Sequence, residues 1–302
     1  MKGIKDLYKK LFFFIFFLGV LDFGIGSILE HFYFTERSLL NESNKLDYSL
    51  NQTSEDILIF GSSTAYHGYV PKIFEDSLNM SCYNMGQNLM NIFYHYAVLN
   101  SVLQRYTPKI ILLDLTAWDF VKTGNDFDIL SDLYPFYFSN KSVREVVDIP
   151  GWSEKFKILS KTYRYNGKLL FIMKHNIIPS NDFQKGYLPL RTELKEDITT
   201  FASDGFVYDS LKFSYLDKFI GKAIAAGCKV VVVAAPSYGI YTKNQFSELE
   251  NFLDEINIEF LNFRNDTTFT NHSEYFYDIT HVNSTGAELL TLKVAERLKS
   301  QL

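Results

Sequence analysis

Cysteine is scarce in this chain, and positive charge does not predominate. The only two cysteines, Cys82 and Cys228, are too few and too far apart for a disulfide framework or a metal knuckle, so we expect buried free thiols. A formal net charge of -5 gives no basic surface for nucleic acid. The six histidines form no metal-ligand spacing, and we predict neither a zinc site nor any other cofactor.

The N-terminus carries a long hydrophobic segment behind a cluster of lysines. Lysines at positions 2, 5, 9 and 10 precede an apolar run from Leu11 to Leu21, and the apolar character resumes after Asp22. The two halves together approach the length of a membrane span. No A-x-A-like cleavage site follows, so we predict an uncleaved anchor over residues 1–34 with the lysines in the cytoplasm. A cleaved signal peptide and a buried aromatic core helix are the alternatives.

Polar residues fill positions 35–55, which we predict to be a tether. From Asp56 onward, short continuous apolar runs alternate with amphipathic stretches, the pattern of buried parallel strands joined by helices. We therefore predict an α/β domain over residues 56–302, with a central parallel sheet. Its strands are expected at 56–60, 109–115, 229–235 and 257–263, and its helices at 91–105, at 218–227 and after a capping box of Thr285 and Glu288.

The alternation breaks between about residues 121 and 215, where aromatic residues are frequent. We predict an insertion over the sheet. Ligands of parallel α/β sheets bind at the carboxyl ends of the strands, so an insertion that leaves the third strand is expected to overhang a site there. It would be a lid or acceptor groove whose rings stack on sugars, or a small subsidiary core of packed rings.

Two short motifs carry the chemistry. Gly61-Ser62-Ser63 directly follows the first predicted strand, and Asp278-Ile279-Thr280-His281 lies just before the final helix. A serine hydroxyl is a poor nucleophile at neutral pH unless an imidazole takes its proton, and a carboxylate that fixes the imidazole tautomer improves that base. Ser63, His281 and Asp278 supply these three groups. The alternative for Asp278 and His281 is a pair that caps backbone amides at a helix entry.

These motifs, in this chain order, resemble those of the SGNH (GDSL-like) hydrolase superfamily. The Gly-Ser-Ser form resembles membrane-anchored branches related to the D-alanyl transfer protein of teichoic acids and to alginate O-acetylation proteins. The resemblance implies a flavodoxin-like three-layer sandwich in which Ser63 is the nucleophile, His281 the base and Asp278 its orienting group. It also implies an oxyanion hole formed by the backbone amides of Ser63 and Gly86, although Gly86 could equally be an ordinary turn glycine.

The third motif departs from the family pattern. Where Gly-x-Asn-Asp is expected, the chain has Asp114-Leu115-Thr116-Ala117-Trp118-Asp119, without the asparagine that donates to the oxyanion. Losing one such donor costs about 2.7 to 4 kcal/mol of transition-state stabilisation. Trp118 lies near the vacant position, and Asn84, Gln87 and Asn88 are the other candidate donors. These three amide side chains are otherwise expected in turns or caps.

Together these features predict a membrane-anchored, extracytoplasmic serine esterase or O-acyltransferase of a bacterial-type cell envelope. The expected substrates are an acyl donor and a glycan acceptor, or an acylated glycan, and O-acetyl is the favoured group. By analogy with similar systems, a polytopic membrane acyltransferase is the expected partner. The alternative is a catalytically weak or inactive subunit that binds glycans, which the altered third motif favours. A phosphodiesterase would need a metal or arginine cluster that the sequence does not indicate.

Overall fold

The computed structural model describes residues 2–35, 42–177, 184–195, 200–201, 207–241, 245–270 and 272–301. The chain divides into two compact units. The first unit combines Met1–Asn44 with Leu130–Asn181, and the second combines Lys45–Ile129 with Asp182–Leu302. Parts of the predicted tether (36–41) and of the predicted insertion (178–183, 196–199 and 202–206) lie outside the described residues.

A parallel five-stranded sheet forms the centre of the second unit. Its strands are β1 (Ile57–Phe60), β2 (Cys82–Asn84), β3 (Ile110–Asp114), β5 (Lys229–Ala234) and β7 (Phe260–Asn262), in the order β2-β1-β3-β5-β7. Ile57 stands opposite both Cys82 and Ile110, and Ile110 stands opposite Lys229. With these five strands counted alone, the order is the 2-1-3-4-5 of flavodoxin-like folds, so the predicted α/β fold is confirmed. A separate parallel pair joins β4 (Thr200–Phe201) to β6 (Ile240–Tyr241).

Helices cover both faces of the central sheet, which is why its three inner strands, β1, β3 and β5, are apolar along most of their length. Alternate residues such as Ile59, Leu112 and Val231 pack against the helices of one face, whereas Phe60 contacts Phe219 on the other at 5.2 Å between ring centroids. The helices of this unit are α2 (Glu42–Asn51), α3 (Ser63–Gly68), α4 (Pro71–Leu78), α5 (Ile92–Leu103), α9 (Ser210–Ala225), α10 (Ser247–Glu255), α11 (Thr267–Thr270) and α12 (Ser284–Lys299). Short 3-10 turns occur at Ala117–Phe120 and Ser273–Tyr275, and a further one, Asp128–Phe136, begins in this unit and belongs mostly to the first.

Most elements predicted for this unit occur within a few residues of their expected bounds, and both cysteines are buried free thiols. The predicted capping box of Thr285 and Glu288 is wrong. Helix α12 begins at Ser284, and its N-cap is Asn283, two residues before Thr285. The Asn283 side chain accepts a hydrogen bond from the Gly286 amide. Asparagine serves this role because its short side chain reaches an amide of the first turn that has no intrahelical acceptor.

The predicted tether is also wrong over its second half, since residues 42–51 form α2. Leu46 and Leu50 are buried one helical turn apart. Lys45 is buried as well, and its ammonium donates to the carbonyls of Gly86 and Gly186. The helix was not predicted because most residues of this segment are polar and only a few are buried. From Lys45 onward, α2 belongs to the second unit.

The first unit consists of the long N-terminal helix and most of the aromatic-rich segment. Helix α1 (Lys2–Tyr33) has a mean hydropathy of 2.2 over its most apolar window and is long enough to cross a membrane. The other helices are α6 (Lys141–Val147), α7 (Trp152–Ile158) and α8 (Leu169–Ile177), with a 3-10 turn at Tyr163–Tyr165. Tyr33 lies 6.3 Å from Phe136 and 5.6 Å from Tyr165 between ring centroids, so aromatic residues of this segment form a core with α1.

Replacing Leu290 by alanine should lower the free energy of unfolding by about 2 to 5 kcal/mol, because its fully buried side chain belongs to the core between α12 and the sheet. The matched control is Leu292→Ala, two residues along the same helix and exposed, which should change stability by less than about 0.5 kcal/mol. Urea denaturation of the full chain in detergent measures both. Equal losses would show that α12 does not pack through Leu290.

Candidate active site

A sharp turn after β1 presents the candidate nucleophile. Strand β1 ends at Phe60 and α3 begins at Ser63, at the carboxyl edge of the sheet. Gly61 joins them with φ +143°, and a Cβ at that position would lie 2.6 Å from the Asp114 carbonyl oxygen. Only glycine fits this turn without strain. Because Ser63 is in the first turn of α3, its amide has no intrahelical acceptor.

The candidate base lies on a loop that its own hydrogen bonds shape. Asp278 Oδ1 accepts hydrogen bonds from the amides of Thr280 and His281, both at 2.8 Å. Phe276 and Val282 form an antiparallel bridge that closes the loop. The Tyr238 amide donates to the Ile279 carbonyl at 3.0 Å and ties the loop to the segment after β5. The ring of His281 is therefore positioned before any substrate arrives.

The structure brings Ser63, His281 and Asp278 into one hydrogen-bonded chain. His281 Nε2 lies 2.7 Å from Ser63 Oγ, and His281 Nδ1 lies 2.9 Å from Asp278 Oδ2. In this arrangement Nδ1–H donates to the carboxylate and Nε2 accepts the serine proton. A serine, an imidazole and a carboxylate in this order are able to perform nucleophilic acyl transfer.

The carboxylate of Asp278 is set to remain ionised. Its partial burial opposes ionisation, but hydrogen bonds from the His281 ring and the Thr280 amide outweigh that effect and hold the pKa of Asp278 well below its usual value. An ionised Asp278 stabilises the imidazolium that forms when His281 takes a proton. About two fifths of the Asp278 side chain and one fifth of the His281 side chain are exposed, so the pair remains reachable from solvent.

The structure does not support Gly86 as an oxyanion donor. The Gly86 amide donates to Asn84 Oδ1 at 2.9 Å, and neither residue lines the cleft around Ser63. The glycine is needed for another reason: a Cβ here would lie 2.6 Å from the Tyr66 amide nitrogen, so only glycine lets this loop pack against α3. Asn84 also donates to the carbonyls of Ala65 and Tyr69, at 2.7 and 3.0 Å. Asn84 therefore acts as a clamp on α3 and on Tyr69 just after it, and does not line the cleft.

Among the other candidate donors, Trp118 lines the cleft, whereas Gln87 and Asn88 do not. Asn88 places its Oδ1 in a buried position with no hydrogen-bond partner. In the altered third motif, Asp119 Oδ2 accepts the Thr116 amide at 2.7 Å in a capping box, which fixes the backbone that carries Trp118. Of the predicted oxyanion donors, Ser63 and Trp118 border the cleft.

The cleft at Ser63 has a volume of about 500 Å³ and is bordered by Trp118, Thr280 and His281. Its wall includes a buried ion pair that sequence reasoning missed. Lys212 Nζ lies 2.5 Å from Asp126 Oδ1 and donates to the Val121 carbonyl at 2.7 Å. The sequence could have indicated this pair. Lys212 stands one turn before Leu216 on the buried face of α9, and a buried lysine needs an acidic or polar partner.

Two further ionisable side chains lie beside the triad. Asp114, at the end of β3, accepts hydrogen bonds from the hydroxyls of Thr64 and of Tyr69, the latter at 2.6 Å. Burial raises the pKa of Asp114 to about 6, against the opposing effect of these hydrogen bonds. His67 has its Nδ1 2.7 Å from the Leu188 carbonyl, and its ring centroid lies 6.0 Å from that of His281. Asp114 is thus bonded to the first turn of α3, through Thr64, and to the residue that follows the helix, Tyr69.

Comparisons with known proteins assign this chain neither a family nor an activity. No family model matches the sequence, and no curated protein matches it. Among solved structures, the crystal structure of a proposed acylhydrolase from Bacteroides fragilis aligns with a TM-score of 0.42 at 10% identity, over 86% of this chain and 97% of that one. This likeness is too weak to say anything about activity. The resemblance to membrane-anchored SGNH branches stays a hypothesis, and function must be argued from the site.

Asn84→Ala should lower the free energy of unfolding by about 1 to 3 kcal/mol for each buried group it leaves without a partner, because the Ala65 and Tyr69 carbonyls and the Gly86 amide all lose a bond. Asn88→Ala, in the loop that follows β2, is the matched control and should cost much less, since its Oδ1 has no hydrogen bond to lose. Chemical denaturation of both variants measures this. A similar cost for the two would contradict the clamp.

Proposed function

We propose that the protein is a membrane-anchored serine esterase or O-acyltransferase that works through an acyl-enzyme on Ser63. The observation that carries this proposal is the 2.7 Å contact between Ser63 Oγ and His281 Nε2, with Asp278 behind the imidazole at 2.9 Å. A serine at a strand-to-helix turn, already paired with an oriented base, has the geometry that covalent acyl transfer requires.

In the first half-reaction, Ser63 Oγ attacks the carbonyl carbon of an ester while His281 Nε2 takes its proton. The carbonyl oxygen becomes an oxyanion, which the Ser63 amide stabilises with a hydrogen bond. Asp278 stabilises the imidazolium. The intermediate then collapses, the bond to the alcohol breaks, and His281 returns the proton to the leaving alkoxide. The acyl group remains on Ser63 as an ester.

In the second half-reaction, His281 removes a proton from water or from an acceptor hydroxyl, which attacks the acyl-enzyme. Collapse restores the Ser63 hydroxyl with the proton from His281. Water as acceptor makes the protein an esterase, and a sugar hydroxyl makes it an O-acyltransferase. The two activities therefore share every residue of the triad and differ only in what enters the cleft.

We propose cell-envelope glycans as the substrate class and O-acetyl as the transferred group. Two features support this. The half-exposed indole of Trp118 borders the cleft and is of the kind that packs on a sugar face. Helix α1 is suited to anchor the chain at a membrane, with its lysines in the cytoplasm and the second unit outside. A polytopic membrane acyltransferase would then be the donor of the acyl group.

One observation favours a second candidate, a glycan-binding subunit with little catalysis. The Gly86 amide is engaged by Asn84, and the third motif lacks the usual asparagine, so the Ser63 amide is left as the donor assigned to the oxyanion. Loss of one oxyanion donor costs about 2.7 to 4 kcal/mol of transition-state stabilisation. The intact Ser63, His281 and Asp278 argue for catalysis, and a covalent probe separates the two functions.

We expect a fluorophosphonate probe to label the full chain on Ser63, because His281 activates that hydroxyl. Ser63→Ala and His281→Ala should abolish labelling, as read by mass spectrometry of the modified peptide. Ser62→Ala is the matched control, since its neighbouring hydroxyl makes no capping hydrogen bond, and labelling should persist. A folded wild-type chain that stays unlabelled would favour the binding subunit.

Asp278→Asn should slow labelling of Ser63 by about three to four orders of magnitude, because an amide in that position no longer selects the tautomer with a free Nε2. The asparagine oxygen can still accept the Thr280 and His281 amides, so the loop should keep its shape. Labelling rates and the thermal midpoint are measured together. A loss smaller than about tenfold with an unchanged midpoint would remove Asp278 from the triad.

A further inference from the structure

Two helices of the first unit expose large apolar side chains to the surroundings. On α7 and its C-cap these are Trp152, Phe156 and Leu159, which recur at helical spacing and share one face. On α8 they are Leu170, Met173 and Ile177, again on one face. Trp152 is 80% exposed and Leu170 is 79% exposed. Apolar faces of this size mark a surface that something else covers.

The segment between these helices is tied to the middle of α1. The Asp22 carboxyl accepts hydrogen bonds from the Ser160 hydroxyl at 2.5 Å and from the Lys161 and Thr162 amides at 2.7 and 3.1 Å. The Thr162 hydroxyl donates to the Asp22 carbonyl at 3.0 Å. One turn further along α1, Gly26 makes the approach possible, because a Cβ there would lie 2.6 Å from the Lys161 side chain.

The position of Asp22 along α1 determines how deep residues 159–162, between α7 and α8, would lie in a membrane. At 1.5 Å per residue, Asp22 lies about 17 Å beyond Leu11, where the lysine-rich flank ends. The hydrocarbon core is about 30 Å thick, so Asp22 falls roughly halfway across it and the far interface falls near Glu30. If the lysines extend into the core instead, Asp22 moves to the far interface. In both placements residues 159–162 lie within the membrane or at its surface.

We propose that the apolar faces of α7 and α8 are inserted among the lipid acyl chains beside α1, in the half of the bilayer away from the N-terminal lysines. The first unit would then be embedded in the membrane at three places. This proposal rests on the membrane anchoring in the proposed function and is independent of the esterase chemistry. It also accounts for Asp22, whose carboxyl has polar partners from Ser160, Lys161 and Thr162 where water is scarce.

The surroundings of the two faces fit a lipid occupant. Lys155 and Lys157 stand between the apolar positions of α7 and are about half exposed. They are paired with Asp148 at 3.0 Å and with Glu154 at 2.9 Å, so the charges beside the apolar face are compensated within the unit. Lys161, which contacts α1, is likewise paired with Glu30 at 2.7 Å. Helix α1 packs against α8 and against the 3-10 turn at Tyr163–Tyr165, so the apolar faces belong to the same unit as the candidate membrane span.

The two tryptophans of the chain provide the test. Trp118→Phe leaves Trp152 on the proposed membrane face as the only indole, and Trp152→Phe leaves Trp118 in the second unit as the reference. Each full-length variant is reconstituted into phosphatidylcholine vesicles with or without bromine in the middle of the acyl chains, and its emission is recorded. We expect brominated lipid to remove most of the Trp152 emission and several-fold less of the Trp118 emission.

Alkaline carbonate extraction of the same vesicles separates the possible outcomes. Retention of the protein with selective quenching of Trp152 supports the inserted faces. Retention without quenching of Trp152, as a partner protein or a second copy on that face would produce, overturns them, and so does equal quenching of the two indoles. Release of the protein overturns both the anchor and this inference, whereas fluorophosphonate labelling of Ser63 still decides the esterase proposal by itself.

Discussion

The hydrogen bond between Ser63 Oγ and His281 Nε2 is the contact on which the candidate site depends. It joins residues that are 218 positions apart, so it forms only if the sheet and the final loop are both correctly placed. Strand β1 is in the interior of the sheet and delivers Ser63 to its carboxyl edge. The loop that carries His281 is held by the Phe276–Val282 bridge and followed directly by α12. The fold thereby converts an ordinary serine into a candidate nucleophile.

The contacts that hold α3, which begins at the candidate nucleophile Ser63, also affect which backbone amides are available to bind an oxyanion. Helix α3 is short and contributes little stability of its own, so it relies on tertiary contacts. Asn84 and Asp114 supply them through four hydrogen bonds, two with residues of α3 and two with Tyr69, which follows the helix. Asn84 also accepts a hydrogen bond from the Gly86 amide. The side chain that holds α3 therefore also engages a candidate oxyanion donor.

Features of the fold and of the candidate site that depend on neighbouring residues were predicted from the sequence. Features that depend on contacts between distant residues were not. Strands β1, β3 and β5 are continuous apolar runs, and Asp278 and His281 are three residues apart, so local patterns were sufficient for them. The role of Gly86 was not predictable, because it depends on whether a neighbouring side chain and α3 approach its amide. The pairing of Lys212 with Asp126 joins residues far apart in sequence, and α2 was hidden by its polar composition.

Asp22 changes how the N-terminal helix should be understood. In the sequence it counts against a membrane span, because a carboxyl in the hydrocarbon core costs about 2.5 to 3.5 kcal/mol on insertion scales. In the structure that carboxyl is bonded to Ser160, Lys161 and Thr162, which come from the segment between α7 and α8. A helix that served only as a tether would gain nothing from such contacts. The contacts instead make α1 a structural element of the first unit. Helix α1 and the segment that carries α7 and α8 are therefore expected to depend on each other for stability.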